Sequence, residues 1–138
     1  MTIGTGDKAP VFDLDEAHDR PRVRLSDYLG RSNVLLVFHP FAFTEVCTEE
    51  AQDLQANLES FRNANTEIVF VSCDAPAARQ AWKRELGGET TFPSDFWGHG
   101  NAAKSYGVFD EEIGAPTRGT FLIDRDGRIV ARFLSAVE

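Results

Sequence analysis

Two short runs constrain the fold of this chain more than anything else in it: Asn33-Val34-Leu35-Leu36-Val37-Phe38 and Glu67-Ile68-Val69-Phe70-Val71-Ser72-Cys73. Val34–Phe38 and Ile68–Val71 within them are solidly apolar, so neither strand has a polar face to give to water. Such strands belong at the centre of a parallel sheet covered on both sides. Between them the stripe Cys47, Ala51, Leu54, Leu58, Phe61 repeats at i+4 and i+3, the rhythm of a helix laid against a sheet. Residues 33 to 73 therefore predict a βαβ unit with the usual right-handed crossover, its helix running from Thr44 to about Ala64.

The flanks add shorter signals. Ala9–Asp15 and Pro21–Leu25 alternate like half-buried strands across a polar turn at Ala17 to Arg20, which predicts an N-terminal hairpin. Ser26–Gly30 reads as one helical turn closed by glycine. Asp74-Ala75-Pro76 caps and opens a helix that reaches about Leu86 and stops at Gly87-Gly88, with a less regular apolar stripe. Phe92–Phe96 is an irregular aromatic segment, and His99–Tyr106 a short helix ended by Gly107. Gly119–Asp124 and Arg128–Phe133 are strands joined by the hairpin signal Arg125-Asp126-Gly127. Strands at both ends of a βαβ centre predict one α/β domain over residues 1–138, a mixed central sheet flanked by helices with an N-terminal β-hairpin. A length of 138 residues with 42% apolar content is enough for one core.

Charge and the N-terminal sequence exclude several roles. A formal charge of −8 and a pI near 4.8 are the wrong sign for nucleic acid or an anionic membrane surface. Met1–Lys8 lacks the apolar core of a signal peptide, and no run approaches the ~18 apolar residues of a membrane span. A cytoplasmic setting is expected, in which Cys47 and Cys73 rest as thiols. Metal binding by Cys47, Cys73 and a histidine lacks ligand spacing. Asp124-Arg125-Asp126-Gly127 is a poor calcium loop, since Arg128 and Ser135 occupy ligand positions.

Cys47 falls in the first turn of the predicted helix, on its inward side. A lone cysteine on an apolar stripe is usually a small buried hydrophobe. A helix N-terminus, however, offers unpaired N–H groups and partial positive charge to a thiolate, and the carboxyl edge of an open α/β sheet is where ligands bind. Pro40, Thr44 and Cys47 spell PxxxTxxC directly after a buried strand, and this resembles the active-site loop of the peroxiredoxins. Phe92–Trp97, Ala103–Phe109 and Thr117–Asp124 resemble the same family in the same order, and the combination is most similar to its AhpE-type one-cysteine branch.

That resemblance implies a thioredoxin-like fold and a thiol peroxidase that reduces hydrogen peroxide, alkyl or lipid hydroperoxides or peroxynitrite through a Cys47 sulfenic acid. It implies an external thiol reductant, mycothiol- and mycoredoxin-like or thioredoxin-like, a homodimer, and no cofactor. It also implies a C-terminal helix beyond the last strand, which the sequence to Glu138 does not include. Arg118, at the start of a strand, is placed near Cys47 with a fork of donors for sulfur and a substrate oxygen. Glu50 would orient that arginine, Thr44 would cap the helix and donate to peroxide, and Pro40 would shape the loop and shield the thiolate. The aromatic density of Phe41, Phe43 and Trp97 suggests apolar walls for a hydroperoxide tail. His39 reads as a packed histidine rather than a proton carrier, and the direction of Glu45 stays open. A resolving role for Cys73 is not favoured, with no CxxC and glutamine at position 52.

Magnitudes show why several groups are needed. Bringing a thiol from ~8.5 to about 6 takes roughly 3.4 kcal/mol, whereas a helix terminus supplies ~0.3–1 and at most about 2. Ionisation is also insufficient: the roughly 13-fold gain in thiolate near pH 7.4 is offset by a similar loss of nucleophilicity for a Brønsted slope of ~0.45. A peroxidase must therefore stabilise the charge that develops along S···O···O. The rival from another class is a non-catalytic redox sensor on the same fold, whose cysteine oxidises no faster than a free thiol.

Overall fold

A computed structural model describes residues 3–17 and 19–135. His18 of the expected turn, Met1 and Thr2 of the N-terminal segment and the last residues to Glu138 lie outside the described residues. The elements are β1 (Asp13–Leu14), β2 (Val23–Arg24), a 3-10 turn (Leu25–Asp27), β3 (Asn33–Phe38), α1 (Glu45–Ala56), α2 (Leu58–Asn63) and β4 (Thr66–Val71). These are followed by α3 (Pro76–Leu86), α4 (Asn101–Ser105), β5 (Phe109–Asp110), β6 (Ala115–Pro116), β7 (Arg118–Ile123) and β8 (Ile129–Ser135).

The central sheet has the order β4-β3-β7-β8, with β3 parallel to β4 and antiparallel to β7, and β7 antiparallel to β8. It is the expected mixed sheet. Because side chains alternate along a strand, the two apolar runs feed two cores at once. Leu36, Phe38, Val69 and Val71 pack on one face with Phe12, Leu14, Tyr106 and Phe121. Val37 and Phe70 pack on the other with Cys47, Ala51, Trp82 and Phe92. The first face is covered by α4 and the N-terminal residues, the second by α1 and α3.

Three expectations need correction. The helix from Thr44 does not run unbroken to Ala64: it ends at Ala56, and α2 restarts after Asn57 (φ −102°, ψ 7°). The Asn57 side-chain amide donates to the Asp53 carbonyl at 2.8 Å beside its own backbone N–H at 3.1 Å, a local side-chain bond of the kind that favours a helix end over a helix interior. The N-terminal hairpin pairs only two residues on each strand, Asp13 with Arg24 and Leu14 with Val23. Pro10 lies before β1 at the open end and Pro21 before β2 on the turn side, and neither has an N–H to pair. Third, Asp74 does not cap α3. The helix opens at Pro76 after Ala75 with no side-chain cap, and the Asp74 carboxylate goes elsewhere.

The remaining turns follow their local chemistry. Gly87 ends α3 at φ +70°, a region where glycine has no steric cost. In the β7–β8 turn Asp124 Oδ1 accepts the N–H groups of Asp126 and Arg128 at 2.9 and 3.0 Å, so that carboxylate serves the hairpin. The two-residue pair β5 and β6 has no periodic signal in the sequence.

Candidate active site

Sheet register brings the site together. Phe38, the last residue of β3, pairs with Gly119 of β7, so Arg118 stands beside the point where the chain leaves β3 and turns into α1. His39 continues the strand for one step, its N–H donating to Val71 at 3.0 Å. Pro40 is buried, Phe43 takes a left-handed φ of +66°, and Thr44 returns to extended backbone before the helix. This turn aims the start of α1 at the arginine.

Cys47 is fully buried in the first turn of α1. Arg118 Nη2 donates to its Sγ at 3.0 Å, and Arg118 Nη1 donates to Glu50 Oε1 at 2.8 Å. Arg118 Nε is buried without a partner, a third donor next to the sulfur. Cys47 is also the third residue of the helix, where a backbone N–H has no intrahelical acceptor. Burial pushes the Glu50 carboxyl above its usual range, while Arg118 pulls it the other way. Glu45 is exposed in the same turn.

Thr44 occupies the cap position but does not cap. Its hydroxyl donates to the Phe41 carbonyl at 2.9 Å and accepts no helical N–H, while its carbonyl takes the Thr48 N–H at 2.8 Å. To donate to a peroxide oxygen the hydroxyl must leave Phe41. Phe41 and Phe43 are both exposed on the loop, with the Phe43 ring 6.1 Å from that of Trp82. Trp97 is elsewhere, contrary to the expected wall. It is 79% exposed, lies 5.5 Å from the His99 ring, and lines a depression with Val11, Asp13 and Asn101. A groove of about 630 Å³ reaches Arg118 and Glu50 instead, with Val46, Leu54 and Phe61 as apolar lining and Glu49, Glu50 and Arg118 as polar groups.

The loop is fastened from below by residues that sequence reasoning did not single out for the site. Ala42 N–H donates to Asp74 Oδ2 at 2.7 Å, and Ser72 Oγ donates to the same oxygen at 2.5 Å. Arg79 Nη1 donates to Ser72 Oγ and to His39 Nε2, each at 2.7 Å. Arginine can only donate, so His39 Nε2 accepts and the imidazole proton is assigned to Nδ1. Burial, then the Arg79 charge, holds His39 well below the usual histidine range. The ring stacks on Phe70 at 4.0 Å as a neutral packed group. The available signal was the irregular stripe of α3, in which Arg79 shares a buried face with Trp82.

Cys73 is a free, half-buried thiol, pushed up to about 12 by burial and then by Asp95 and Asp74. It is a poor nucleophile at neutral pH. Among the described residues no group of three or more His, Cys, Asp or Glu could hold a metal ion, and no helix is long and apolar enough to cross a membrane.

Residues 5–132 match the model of the AhpC/TSA family. The chain is 40% identical to alkyl hydroperoxide reductase E of Mycobacterium tuberculosis over 129 residues, covering 92% of this chain and 82% of that protein. It is 37% identical to the chloroplastic 2-Cys peroxiredoxin BAS1 of Hordeum vulgare over 131 residues, 90% of this chain and 62% of the relative. The crystal structure of peroxidoxin BcpB from M. tuberculosis superposes with a TM-score of 0.88 at 28% identity, over 96% of this chain and 86% of that one. That of the reduced Plasmodium vivax 2-Cys peroxiredoxin gives 0.87 at 28% identity, over 98% and 74%.

Proposed function

This chain belongs to the AhpC/TSA family of peroxiredoxins and is a thiol peroxidase with a thioredoxin-like fold, and we propose that Cys47 is its peroxidatic residue, working by a one-cysteine cycle. The observation that carries this reading is the Arg118 guanidinium, which holds Cys47 Sγ through Nη2 and Glu50 through Nη1.

In the first step the Cys47 thiolate attacks the nearer oxygen of a hydroperoxide. An S–O bond forms, the O–O bond breaks, and its electron pair leaves with the outer oxygen as an alkoxide that takes a proton to become the alcohol. Negative charge passes from sulfur to that oxygen. A fixed cation with an unpaired donor beside the path favours the transition state over the ground state. Arg118 fits this role, with Nε as the donor in reserve. The Cys47 N–H supplies a further donor on the helix side, and the Thr44 hydroxyl another once it leaves the Phe41 carbonyl. Pro40, buried and without an N–H, closes the loop behind the sulfur. Glu50 fixes the fork, so little reorganisation is needed as charge moves.

The sulfenic acid then condenses with an outside thiol, releasing water and forming a mixed disulfide. A second thiol cleaves that disulfide and restores Cys47. Both reducing equivalents come from the external thiol, mycothiol- and mycoredoxin-like or thioredoxin-like, and no prosthetic group takes part. Cys73, held as a thiol far above neutral pH, has no part in the cycle. An alkyl hydroperoxide tail would lie in the groove between Val46, Leu54 and Phe61, with Phe41 and Phe43 at the loop side. A cytoplasmic homodimer is part of the same proposal.

Stopped-flow oxidation of the reduced chain by hydrogen peroxide tests the reading. Cys47 is expected to react at least about 10³-fold faster than a free thiol at the same pH. Cys73→Ser is expected to leave both this rate and turnover with an external thiol within about twofold. Oxidation at the free-thiol rate would leave a redox sensor, not a one-cysteine peroxidase centred on Cys47.

A further inference from the structure

A second guanidinium lies beneath the active-site loop. Arg79 of α3 is completely buried, and its partners are all neutral: the Phe70 carbonyl at 2.6 Å, the Phe92 carbonyl at 3.4 Å, Ser72 Oγ and His39 Nε2. It also lies over the rings of Phe92, Phe70 and Trp82 at 5.2, 5.7 and 6.0 Å. Among the described residues no carboxylate pairs with it directly. Asp74 compensates only at one remove, through the Ser72 hydroxyl. A buried cation without a carboxylate is costly, and burial draws this one down to about 10, still protonated at neutral pH.

Two features tie that charge to the reaction. The first is mechanical: one donor, Nη1, holds His39 immediately before Pro40, and through Ser72 and Asp74 it reaches the Ala42 N–H inside the loop. The second is electrostatic. Phe70, Trp82 and Phe92, the three rings around Arg79, pack in one apolar cluster with Cys47, Ala42 and Ala51. Charges that share a dry compartment are screened far less than at a surface. The charged and titratable groups around this compartment are Arg118 from β7, Glu50 from α1, His39 after β3, Cys73 and Asp74 after β4, Arg79 itself, Lys83 from α3, whose ammonium lies 5.9 Å over the Phe92 ring, and Glu16, which pairs with Lys83 at 3.6 Å and accepts the Phe92 N–H. When Cys47 ionises, it becomes an anion in the same cluster as a cation that has no direct ion pair.

We propose that Arg79 is a positioning residue for the peroxidase reaction: it fastens the 39–44 loop through His39 and through Ser72 and Asp74, and it sets a second positive charge behind the Cys47 thiolate. This rests on Cys47 being the peroxidatic residue. The test uses alkylation, which does not depend on peroxide chemistry, so the two readings fail separately.

In a Cys73→Ser background, iodoacetamide alkylation of Cys47 is compared among Arg79, Arg79→Gln, which keeps a donor without the charge, and Arg79→Lys, which keeps the charge. The glutamine variant is expected to react about tenfold more slowly near pH ~6 but within about twofold near pH ~9.5, where Arg118 still supports the thiolate and the Arg79 charge decides less of its population. The lysine variant is expected to return to within about threefold of the parent near pH ~6. Equal rates in all three, equal slowing at both pH values, or a lysine variant as slow as glutamine would each overturn the proposal. Should Arg79→Gln not fold, the double variant His39→Phe with Arg79→Leu replaces the polar pair by apolar groups, and the same pH-selective loss is expected of it. A parent chain oxidised no faster than a free thiol would sink the peroxidase reading while leaving this comparison intact.

Discussion

At Cys47 two effects act on one atom, and their sizes differ. The helix N-terminus contributes ~0.3–1 kcal/mol to an anion, whereas a hydrogen bond from a charged donor contributes about 1.5–3. Arg118 is therefore the larger influence, and it was placed near Cys47 by the family resemblance of Thr117–Asp124, not by the PxxxTxxC motif that marked the cysteine. Glu50 was legible for the same reason, one turn along the helix. Arg79, Ser72 and Asp74 were not, because a buried arginine on an irregular stripe looks like a solvated charge until its acceptors are seen. His39 yields a prediction of its own. Below about 6.5 the unfolded chain protonates this histidine while the folded chain does not, so stability falls with pH by up to ~1.4 kcal/mol per unit, and is fully present above that value. Glu50 and Asp95, both raised by burial, contribute with the opposite sign. They are common to parent and variant. Urea midpoints from pH ~7 to ~5 should therefore show a shallower loss in His39→Phe than in the parent, although the variant starts less stable because Arg79 loses an acceptor. Parallel pH profiles would mean that His39 takes up its proton in the folded chain.

At the scale of elements, the solid apolar runs identified β3 and β4 with boundaries correct to within a residue or two, since only a two-face-buried strand reads that way. Proline and glycine punctuation located α3 and the β7–β8 hairpin. The Asn57 break was illegible because the apolar stripe continues through it, from Leu54 to Leu58 and Phe61. The β5–β6 pair is too short to show a period. The step from β3 to β7 depends on Gly119, where an added Cβ would lie 2.9 Å from Val108 Cγ1 and 3.2 Å from Leu134 Cδ2. Val108 is buried and β-branched, so it has little room to yield. Gly119→Ala is expected to cost about 1–3 kcal/mol in thermal unfolding. It should also slow Cys47 oxidation, because Arg118 is the adjacent residue. An unchanged melting temperature would show that the β7 edge is looser than its packing indicates.

For the molecule as a whole, the site is a product of topology. Cys47 and Arg118 are 71 positions apart in the chain, and no local pattern joins them. The parallel β3–β4 crossover presents the helix N-terminus at the sheet's carboxyl edge, and the antiparallel return of β7 delivers the arginine to the same place. Periodicity in the sequence predicted the first half of that arrangement. The second half rested on family resemblance, since a strand order in which β7 lies beside β3 has no signature in composition or spacing. The central claim is that this convergence stabilises a transition state and does more than ionise a thiol. Oxidation of Cys47 by hydrogen peroxide should therefore be timed by stopped flow in the parent and in Arg118→Ala, each rate divided by the thiolate fraction measured by ultraviolet absorbance at the same pH. The variant is expected to remain at least about 10²-fold slower; equal rates once ionisation is matched would contradict the account.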